Sequence, residues 1–437
     1  MSKPTHPVTA RLAATSPALF AAWAVLAAFS TYFCMYAFRK PFAVGTFAGT
    51  VDLPLLPPMD YKVALIIAQV LGYCISKFIG IKVVSEMSPG RRAAAVLVVI
   101  GVAWAALLLF AITPAPWSVV FLFLNGIPLG MVWGLVFGFL EGRRVSDVLG
   151  AGLSASYIVA SGAVKSVGKL LLDAGVPEAW MPFCVGAVFA LPMAGFVWML
   201  ARLPPPSPED EARRCVRAPM DGQARKSFLL RFAPSVLPLT LLYVLLTAYR
   251  DFRDNFSREL YDALGAGSSA GIFAVAEIPI ALGVLVVLAL LTLVQDNRKA
   301  VLVVHAVMGA GTALIGVATL LWSAGILGSV PWMIAVGLGL YIAYVPYGCV
   351  LFDRLLAAVG SVGTAAFLIY LTDAFGYLGS VLLLLVKTFW SPDLSWLDFF
   401  VAFSHVTAVA CTALFAVSFV WLATWGRRER TAGAAQA

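Results

Sequence analysis

Two adjacent cations, Arg39 and Lys40, lie in the otherwise mostly apolar run FCMYAFRKPFAVG, residues 33–45. About 20 helical residues span the hydrocarbon core of a bilayer, and a charge at the centre of such a segment costs at least roughly 2.5–3.5 kcal/mol. Charged side chains inside a membrane therefore face a cavity and pair with one another or with a ligand. The two cations predict a polar interior at this point.

Other apolar segments also carry charged residues, and cations outnumber acids among them. The full set is Arg39, Lys40, Lys77, Lys165, Lys169, Arg250, Arg253, Asp251, Asp254, Glu277 and Asp373. An excess of positive charge in a cavity favours an anionic ligand. The candidate substrate-binding residues are Arg39, Arg250, Lys40, Lys77 and Lys165, and the candidates for proton coupling or charge pairing are Glu277, Asp373 and Asp254.

Structural roles compete with ligand binding at several of these positions. Lys169 lies near the predicted outer end of its helix, where a lysine side chain can snorkel to the headgroups. Arg250 and Asp254 are four residues apart, a spacing that permits an ion pair within one helix. A further interpretation places part of residues 249–260 in a loop at the outer surface. The residues alone leave these alternatives open.

The sequence contains none of the patterns typical of an enzyme, a metal site or a nucleotide-driven pump. It has no GxxxxGK[ST] loop and no nucleophile–base pair. Its three histidines lack metal-ligand spacing, and its six cysteines are scattered and are interpreted as packing residues. We predict no enzymatic activity, no cofactor and no metal.

The composition predicts an all-α membrane protein. Of the 437 residues, 61% are hydrophobic and only 12% are charged, more apolar surface than a soluble protein of this length can bury. Apolar runs suggest twelve transmembrane helices, near residues 17–47, 62–86, 93–112, 117–142, 149–172, 180–202, 231–260, 269–294, 300–323, 330–353, 362–389 and 397–425.

The helices fall into two halves of six, separated by a Pro-rich, charged segment. The predicted divisions are an N-terminal region (1–16), a first half (17–202), a linker (203–230), a second half (231–425) and a tail (426–437). Arg39 and Arg250 hold similar places in their halves, and SVGKLLL (166–172) aligns with YLGSVLL (377–383). This repeat predicts two halves related by pseudo-two-fold symmetry, as in the major facilitator fold.

Basic residues of the connecting loops predict the orientation in the membrane. Even-numbered connections carry pairs such as Arg91–Arg92, Arg143–Arg144 and Arg298–Lys299, whereas odd-numbered ones carry acids and hardly any base except Lys62. The excess of positive charge on one side predicts that the linker and both termini lie in the cytoplasm. Frequent Ala and the use of Arg over Lys suggest a bacterial source, so the predicted location is the bacterial inner membrane. The net charge of +8 is thus attributed to topology, and no nucleic-acid partner is predicted.

Several stretches resemble the organophosphate:phosphate antiporter family of the major facilitator superfamily. YAFRKPFA (36–43) is similar to an Arg-Lys-Asn-Phe stretch in that family's first helix, and GYCISKFIGIKVVSEMSPGRR (72–92) to its second helix and following loop. GTAAFLIYLTDAFGYLGSV (363–381) resembles its eleventh helix, RDFRDNFS (250–257) its seventh, and AEIP (276–279) falls at an eighth-helix Glu.

The resemblance implies roles for individual residues. Arg39 and Arg250 would be paired phosphate-binding arginines, Lys40 and Lys77 would line the approach, and Glu277 would be a polar cavity residue. The chain departs from the family in the fifth helix, which lacks the family's His; Ser161 lies near that place and Lys165 a turn beyond. Pro41 replaces the Asn, and the seventh helix has additional charges.

These observations predict a secondary active transporter of a small organic anion, such as a phosphorylated metabolite exchanged for phosphate by alternating access. The expected partners are the anionic substrate and the lipid bilayer, with the chain acting as a monomer. Two alternatives stay open. One is a proton-coupled transporter of another solute, and the other is a non-transporting metabolite sensor on the same fold.

Overall fold

The structure, a computed structural model, describes residues 6–54, 57–85, 87–140, 146–205, 222–267, 269–359 and 365–434. Some features of the sequence lie outside these ranges. They include the loop residues Arg143 and Arg144, most of the predicted linker 203–230 and the end of the predicted tail 426–437.

The described backbone is almost entirely helical. The helices before the linker are α1 (Pro7–Ala13), α2 (Pro17–Tyr36), α3 (Tyr61–Ser85), α4 (Arg92–Ile112), α5 (Ser118–Phe137), α6 (Ser146–Asp173) and α7 (Met181–Ala201). Those after it are α8 (Gly222–Asn255), α9 (Ser257–Ala263), α10 (Ile272–Leu291), α11 (Asn297–Ser323), α12 (Ser329–Tyr344), α13 (Phe352–Val359), α14 (Ala365–Phe389) and α15 (Trp396–Ala434).

Short irregular elements complete the chain. The strands β1 (Thr50–Val51) and β2 (Met59–Asp60) pair antiparallel just before α3. Residues Pro41–Val44 and Pro89–Arg91 form 3-10 helices, and Tyr347–Leu351 forms a π-helix between α12 and α13.

Twelve helical stretches in the described residues are long and apolar enough to cross a membrane. Each of them overlaps one predicted span. The largest difference is at the end of the first span, which stops at Tyr36 and not at residue 47, and the other boundaries differ by up to nine residues. Large apolar side chains stay exposed along them, for example Leu97, Val98 and Val102 of α4. Lipid solvates such a surface, whereas water would not. The protein is therefore an integral membrane protein.

Tertiary packing divides the chain into two compact units. Unit 1 comprises Met1–Cys215 together with Asp254–Ile278, and unit 2 comprises Val216–Arg253 together with Pro279–Ala437. The predicted halves differ from these units in one respect, because residues 254–278 group with the first half of the chain. The last residues of α8, all of α9 and the first part of α10 thus belong to unit 1.

Helices α3 and α5 cross in close backbone contact within unit 1. In α3, 78% of the membrane-spanning window is buried, against 28% for α7 at the periphery. A Cβ atom at Gly72 would lie 2.1 Å from the carbonyl oxygen of Phe123, and one at Gly126 would lie 2.2 Å from that of Gln69. Glycine is the residue that permits two helix backbones to approach this closely.

Unit 2 has a similar backbone contact between α11 and α12, where a Cβ at Gly339 would lie 2.5 Å from the Gly311 carbonyl oxygen. The aligned glycines of the two halves also have corresponding neighbours. A Cβ at Gly168 of α6 would lie 3.1 Å from Val44 Cγ2, and one at Gly379 of α14 would lie 2.4 Å from Val244 Cγ1. In each unit this glycine faces a residue from the segment that was predicted as the first span of its half.

Candidate functional site

The first membrane helix ends at Tyr36, so the prediction of one span over 17–47 is wrong beyond that residue. Pro41 explains the early end, because proline has no N–H group and its ring clashes with the carbonyl four residues earlier in a helix. The chain continues as a turn and then a short 3-10 helix. Arg39 and Lys40 lie in the turn.

Amide side chains from α3 and α5 bind carbonyl groups at this break. Gln69 Nε2 donates to the Arg39 carbonyl (3.0 Å) and to Asn125 Oδ1 (2.8 Å). Asn125 Nδ2 donates to the carbonyls of Phe38 (3.1 Å) and Ala103 (2.9 Å). A buried carbonyl left without a hydrogen bond costs about 1–3 kcal/mol. The two amides therefore fix the backbone that carries Arg39.

The sequence analysis missed both amides. Each is a single polar residue in an apolar helix, and such residues commonly bridge helices in membranes, so a signal was present. Tyr73, the third residue that it missed, gave no comparable signal, because a tyrosine in a membrane helix usually packs.

Tyr73 lies against two of the predicted binding cations. The ring centroid is 3.9 Å from Arg39 Cζ and 5.1 Å from Lys77 Nζ. A cation over an aromatic face is attracted by the negative charge density of the ring. Both cations, and Lys40 beside Arg39, are buried. Tyr73 therefore brings together a cation from the turn after the first membrane helix, Arg39, and a cation from α3, Lys77.

The carboxylate of Asp254 lies between two buried lysines. Its Oδ2 is 2.5 Å from Lys40 Nζ, and its Oδ1 is 2.7 Å from Lys165 Nζ. Ser161 Oγ donates a hydrogen bond to the same Oδ1. This arrangement replaces the ion pair within one helix between Arg250 and Asp254, an alternative from the sequence that is wrong.

Glu277 is buried where α10 contacts α6. A Cβ at Gly162 of α6 would lie 2.1 Å from the Phe273 carbonyl oxygen and 2.9 Å from Glu277 Cγ. Lys165, one turn further along α6, has its Nζ 6.0 Å from the ring centroid of Phe273. Glu277 therefore borders the part of α6 that carries Lys165.

The chain after the break is tied to α3 and α9 by charged side chains. Lys62 Nζ donates to the Ala43 carbonyl (2.8 Å) and forms an ion pair with Glu259. Arg258 donates to the Val44 carbonyl. Lys62, the base that stood out in the odd-numbered connections, is thus used inside unit 1 as an anchor.

Glu178 holds the next residues of the same segment. Its Oε1 accepts hydrogen bonds from the Thr46 N–H and Oγ1 (both 2.6 Å), and its Oε2 accepts one from the Phe47 N–H (3.0 Å). Burial raises the pKa of Glu178, but the hydrogen bonds from Thr46 and Phe47 and the charge of Arg258 outweigh it, so the pKa lies below the ordinary value. The ionised form is the one that the fold stabilises.

Because the pKa of Glu178 is lower in the folded state, its contribution to stability is complete above the unfolded-state pKa and declines as the pH falls through the folded-state pKa. We expect Glu178→Gln to lower the melting temperature by roughly 1–3 °C at pH 7. The difference between the variant and wild type should shrink towards pH 3.5. Thermal unfolding in detergent across this range measures it, and a pH-independent difference would contradict the assignment.

Arg250 in unit 2 is also stacked on tyrosine. Its Cζ is 4.6 Å from the ring centroid of Tyr344 and 5.6 Å from that of Tyr377. Its Nη2 and Nε lie 2.8 Å and 3.1 Å from Asp251 Oδ1. Ser380 Oγ donates to the other oxygen of Asp251 (2.9 Å). Arg250 therefore has an acidic partner next to it in sequence.

The interpretation of residues 249–260 as partly an outer loop is wrong for the first part of that stretch. Helix α8 continues to Asn255, and the side chains from Asp251 to Asn255 are buried. Arg253, for example, donates to the Met333 carbonyl at 3.1 Å. The charges of this helix face protein, which explains how an apolar segment accommodates them.

Asp373 belongs to a hydrogen-bonded chain in unit 2. Tyr243 donates to Asp373 Oδ1, and its hydroxyl is also 2.8 Å from the hydroxyl of Tyr344. Tyr344 in turn accepts a hydrogen bond from Arg250. The chain therefore connects Asp373, through two tyrosines, to the Arg250–Asp251 pair.

No group of His, Cys, Asp or Glu suited to binding a metal ion occurs in the described ranges. His305 instead makes contacts that are typical of packing. Its Nδ1 is 2.8 Å from the Val301 carbonyl oxygen, and its Nε2 is 3.1 Å from Ser418 Oγ. The described contacts of the site involve lysine, arginine, carboxylate and tyrosine side chains.

Solved structures of transporters share this fold. The chain is similar to a D-xylose-proton symporter with a TM-score of 0.58 and 16% identity, covering 91% of this chain and 96% of that one. It is similar to the nucleoside transporter NupG (TM-score 0.57, 14% identity, 91% and 98% covered). The human organic anion transporter MFSD10 (TETRAN) gives a TM-score of 0.56 at 16% identity, with 93% and 100% covered. The chain has the major facilitator fold, as predicted.

No curated protein matches the sequence significantly, so the resemblance to organophosphate:phosphate antiporters stays a prediction. A family model described as "Family of unknown function (DUF5690)" matches residues 41–424. The match covers most of the chain and begins directly after Arg39 and Lys40. The protein belongs to the family DUF5690.

Proposed function

We propose that this protein is a secondary active transporter that exchanges a small organic anion, of the phosphorylated-metabolite class, for phosphate by alternating access. The proposed binding residues are Arg39, Lys40, Lys77 and Lys165 of unit 1 and Arg250 of unit 2. The charges of the loops support an orientation with both termini in the cytoplasm, and the location that we propose is a bacterial inner membrane. The proposal takes the transporter as a monomer.

The excess of buried positive charge in unit 1 is the observation that carries this proposal. Among the described residues of unit 1, the buried cations are Arg39, Lys40, Lys62, Lys77 and Lys165, whereas the buried acids are Asp254 and Glu277. The half-buried Glu259 balances Lys62. The remaining cations exceed the acids by two charges. A phosphate monoester carries about −1.5 to −2 charges at pH 7, which matches that excess.

The residue types suit a phosphate group. A guanidinium presents a planar fork that can bind two phosphate oxygens at once, and it stays charged at any relevant pH. Arg39 is held for this role by the ring of Tyr73 and by the amide that binds its carbonyl. Such preorganisation lowers the entropy that binding would otherwise lose.

The same charge excess gives a reason for obligatory exchange. An empty site with a net excess of positive charge resists closure, because like charges repel one another in a low-dielectric interior. A bound anion removes the repulsion and so stabilises the closed state selectively. Selective stabilisation is required, since a ligand with equal affinity for both states shifts no equilibrium.

Purified protein in proteoliposomes tests the proposal. Vesicles loaded with inorganic phosphate are expected to take up external labelled glucose 6-phosphate, and vesicles loaded with a neutral osmolyte are not. Protein-free vesicles are the control for leakage. If a panel of labelled phosphate esters and carboxylates shows no exchange against internal phosphate, the proposal is wrong.

A second candidate is proton-coupled transport, which the hydrogen-bonded chain in unit 2 favours. Asp373 connects through Tyr243 and Tyr344 to Arg250. A carboxylate in such a network can bind and release a proton as its surroundings change. A D-xylose-proton symporter has the same fold, so this fold can support proton-coupled transport in that protein.

Asp373→Asn separates the two candidates. Under proton coupling, we expect the variant to lose uptake driven by a pH gradient by roughly 100-fold or more, because asparagine cannot carry a proton and a positioned proton-transfer group typically contributes about 10²–10⁴-fold. Anion exchange without a gradient should persist. Asp393→Asn, in an exposed position, is the matched control. Equal gradient-driven uptake by wild type and Asp373→Asn would exclude Asp373 as the proton carrier.

A further inference from the structure

The cluster of Lys40, Lys165 and Asp254 in unit 1 already contains an anion. The two carboxylate oxygens of Asp254 lie 2.5 Å and 2.7 Å from the two ammonium groups. A phosphate or carboxylate ligand forms charge-assisted hydrogen bonds of about the same length, roughly 2.7–2.9 Å. The Asp254 carboxylate therefore occupies the position that a ligand anion would need in order to bind these lysines.

We propose that Asp254 is a tethered competitor of the substrate anion, which displaces the carboxylate before it binds Lys40 and Lys165. This inference rests on the proposed transport of an anion, and it adds a residue that determines specificity. A tethered group competes at a high effective concentration, on the order of millimolar for a short flexible link. A free monocarboxylate has the same charge as the Asp254 carboxylate, so it displaces Asp254 from the two lysines with little gain in binding free energy. A doubly charged phosphate ester interacts more strongly with both lysines and displaces it more readily.

Neutral acceptors hold the two lysines independently of the carboxylate. Lys40 Nζ donates to Asn255 Oδ1 at 2.8 Å. Lys165 Nζ donates to Ser257 Oγ at 3.1 Å and to the main-chain carbonyl of Asp254 at 3.0 Å. The ammonium groups therefore keep partners and positions when the carboxylate moves away. A site that stays formed after its internal anion leaves can accept another anion.

Ser161 stabilises the Asp254 carboxylate in its position between the lysines and so opposes the ligand. Its hydroxyl donates to Asp254 Oδ1, the oxygen that also contacts Lys165. This hydrogen bond stabilises the carboxylate in place and so opposes the incoming ligand. Loss of the hydroxyl should favour ligand binding slightly while leaving every charge unchanged.

A purely structural ion pair predicts a different outcome. Removal of the acid would leave two buried lysines without their counter-ion, which destabilises a protein. It would not strengthen the binding of an external anion if that anion bound elsewhere. Stability and anion affinity therefore need to be measured on the same variant.

The test compares full-length wild type with Asp254→Asn in detergent, titrated with inorganic phosphate, glucose 6-phosphate and acetate by isothermal calorimetry. The expected result is a phosphate dissociation constant about tenfold lower in the variant, because a like-charged competitor is gone. The preference for phosphate over acetate should shrink. Asp173→Asn, which removes the acid of the exposed Lys169–Asp173 pair on α6, is the matched control with unchanged affinity.

The outcomes separate the two proposals. If wild type binds phosphate and Asp254→Asn binds it no more tightly, Asp254 is not a competitor, and the transport proposal stands. If neither protein binds any of the anions, the proposed function fails and the inference fails with it. Where Asp254→Asn does not fold, Ser161→Ala replaces it, with an expected affinity gain of about two- to threefold. An unchanged affinity in Ser161→Ala would then overturn the inference.

Discussion

Replacing Arg39 with glutamine is expected to reduce anion exchange in proteoliposomes by roughly 100-fold, because truncating a buried charged hydrogen-bonding group costs about 2–5 kcal/mol. The guanidinium lies against Tyr73 at 3.9 Å and is buried. Exchange of labelled glucose 6-phosphate against internal phosphate measures the effect. Arg39→Lys should recover only part of the rate, since lysine keeps the charge but lacks the planar fork.

Arg202→Gln is the matched control for this experiment. Arg202 follows α7, and its Cζ lies 5.3 Å from the ring centroid of Trp198, so it is also an arginine on an aromatic ring. It lies outside the cation group around Tyr73. The control variant should exchange at close to the wild-type rate. Exchange by Arg39→Gln at the rate of this control would show that Arg39 does not bind the anion.

Gly126→Ala is expected to destabilise the protein by about 3 kcal/mol or more, at or beyond the upper end of the usual cost of overpacking. The new Cβ would lie 2.2 Å from the Gln69 carbonyl oxygen and 2.9 Å from the Tyr73 nitrogen. Both neighbours are backbone atoms of α3, so a rotamer change cannot relieve the clash and the helices have to separate. The melting temperature and the yield of monodisperse protein in detergent measure the loss.

Gly101→Ala controls for the helix propensity of alanine. Gly101 lies on an exposed face of α4, and a Cβ there has no neighbour within 4 Å. The melting temperature of the Gly101→Ala variant should stay close to that of wild type. If Gly126→Ala is as stable as Gly101→Ala, then α3 and α5 are not in backbone contact. The Gln69 and Asn125 amides would in that case not hold the Arg39 turn as described.

The sequence determined the architecture because its signals are local and additive. Each of the twelve spans is encoded by its own run of apolar residues, which partition into lipid regardless of the rest of the chain. The repeat between the halves then predicted the fold. The apolar runs also predicted which charged residues lie inside the membrane. A lysine such as Lys165 in an apolar run is recognisable without knowledge of its neighbours in the fold.

The partners of those charges were decided by the tertiary structure. Spacing alone offered Arg250 as the partner of Asp254, four residues along one helix. In the fold, Asp254 contacts Lys40 and Lys165, which are 214 and 89 residues away in sequence, and Arg250 contacts Asp251. An ion pair depends on distances of a few ångströms between elements, and no local pattern encodes them.

The break after Tyr36 shows the same division. Pro41 made a disturbance of the helix predictable, but a proline can kink a membrane helix without ending it. Whether the freed carbonyls are stabilised depends on side chains from other helices, here Gln69 and Asn125, which reach the break only because glycines let α3 and α5 approach. The local sequence therefore determines which charged residues lie in apolar segments. Long-range packing determines which side chains contact and stabilise them.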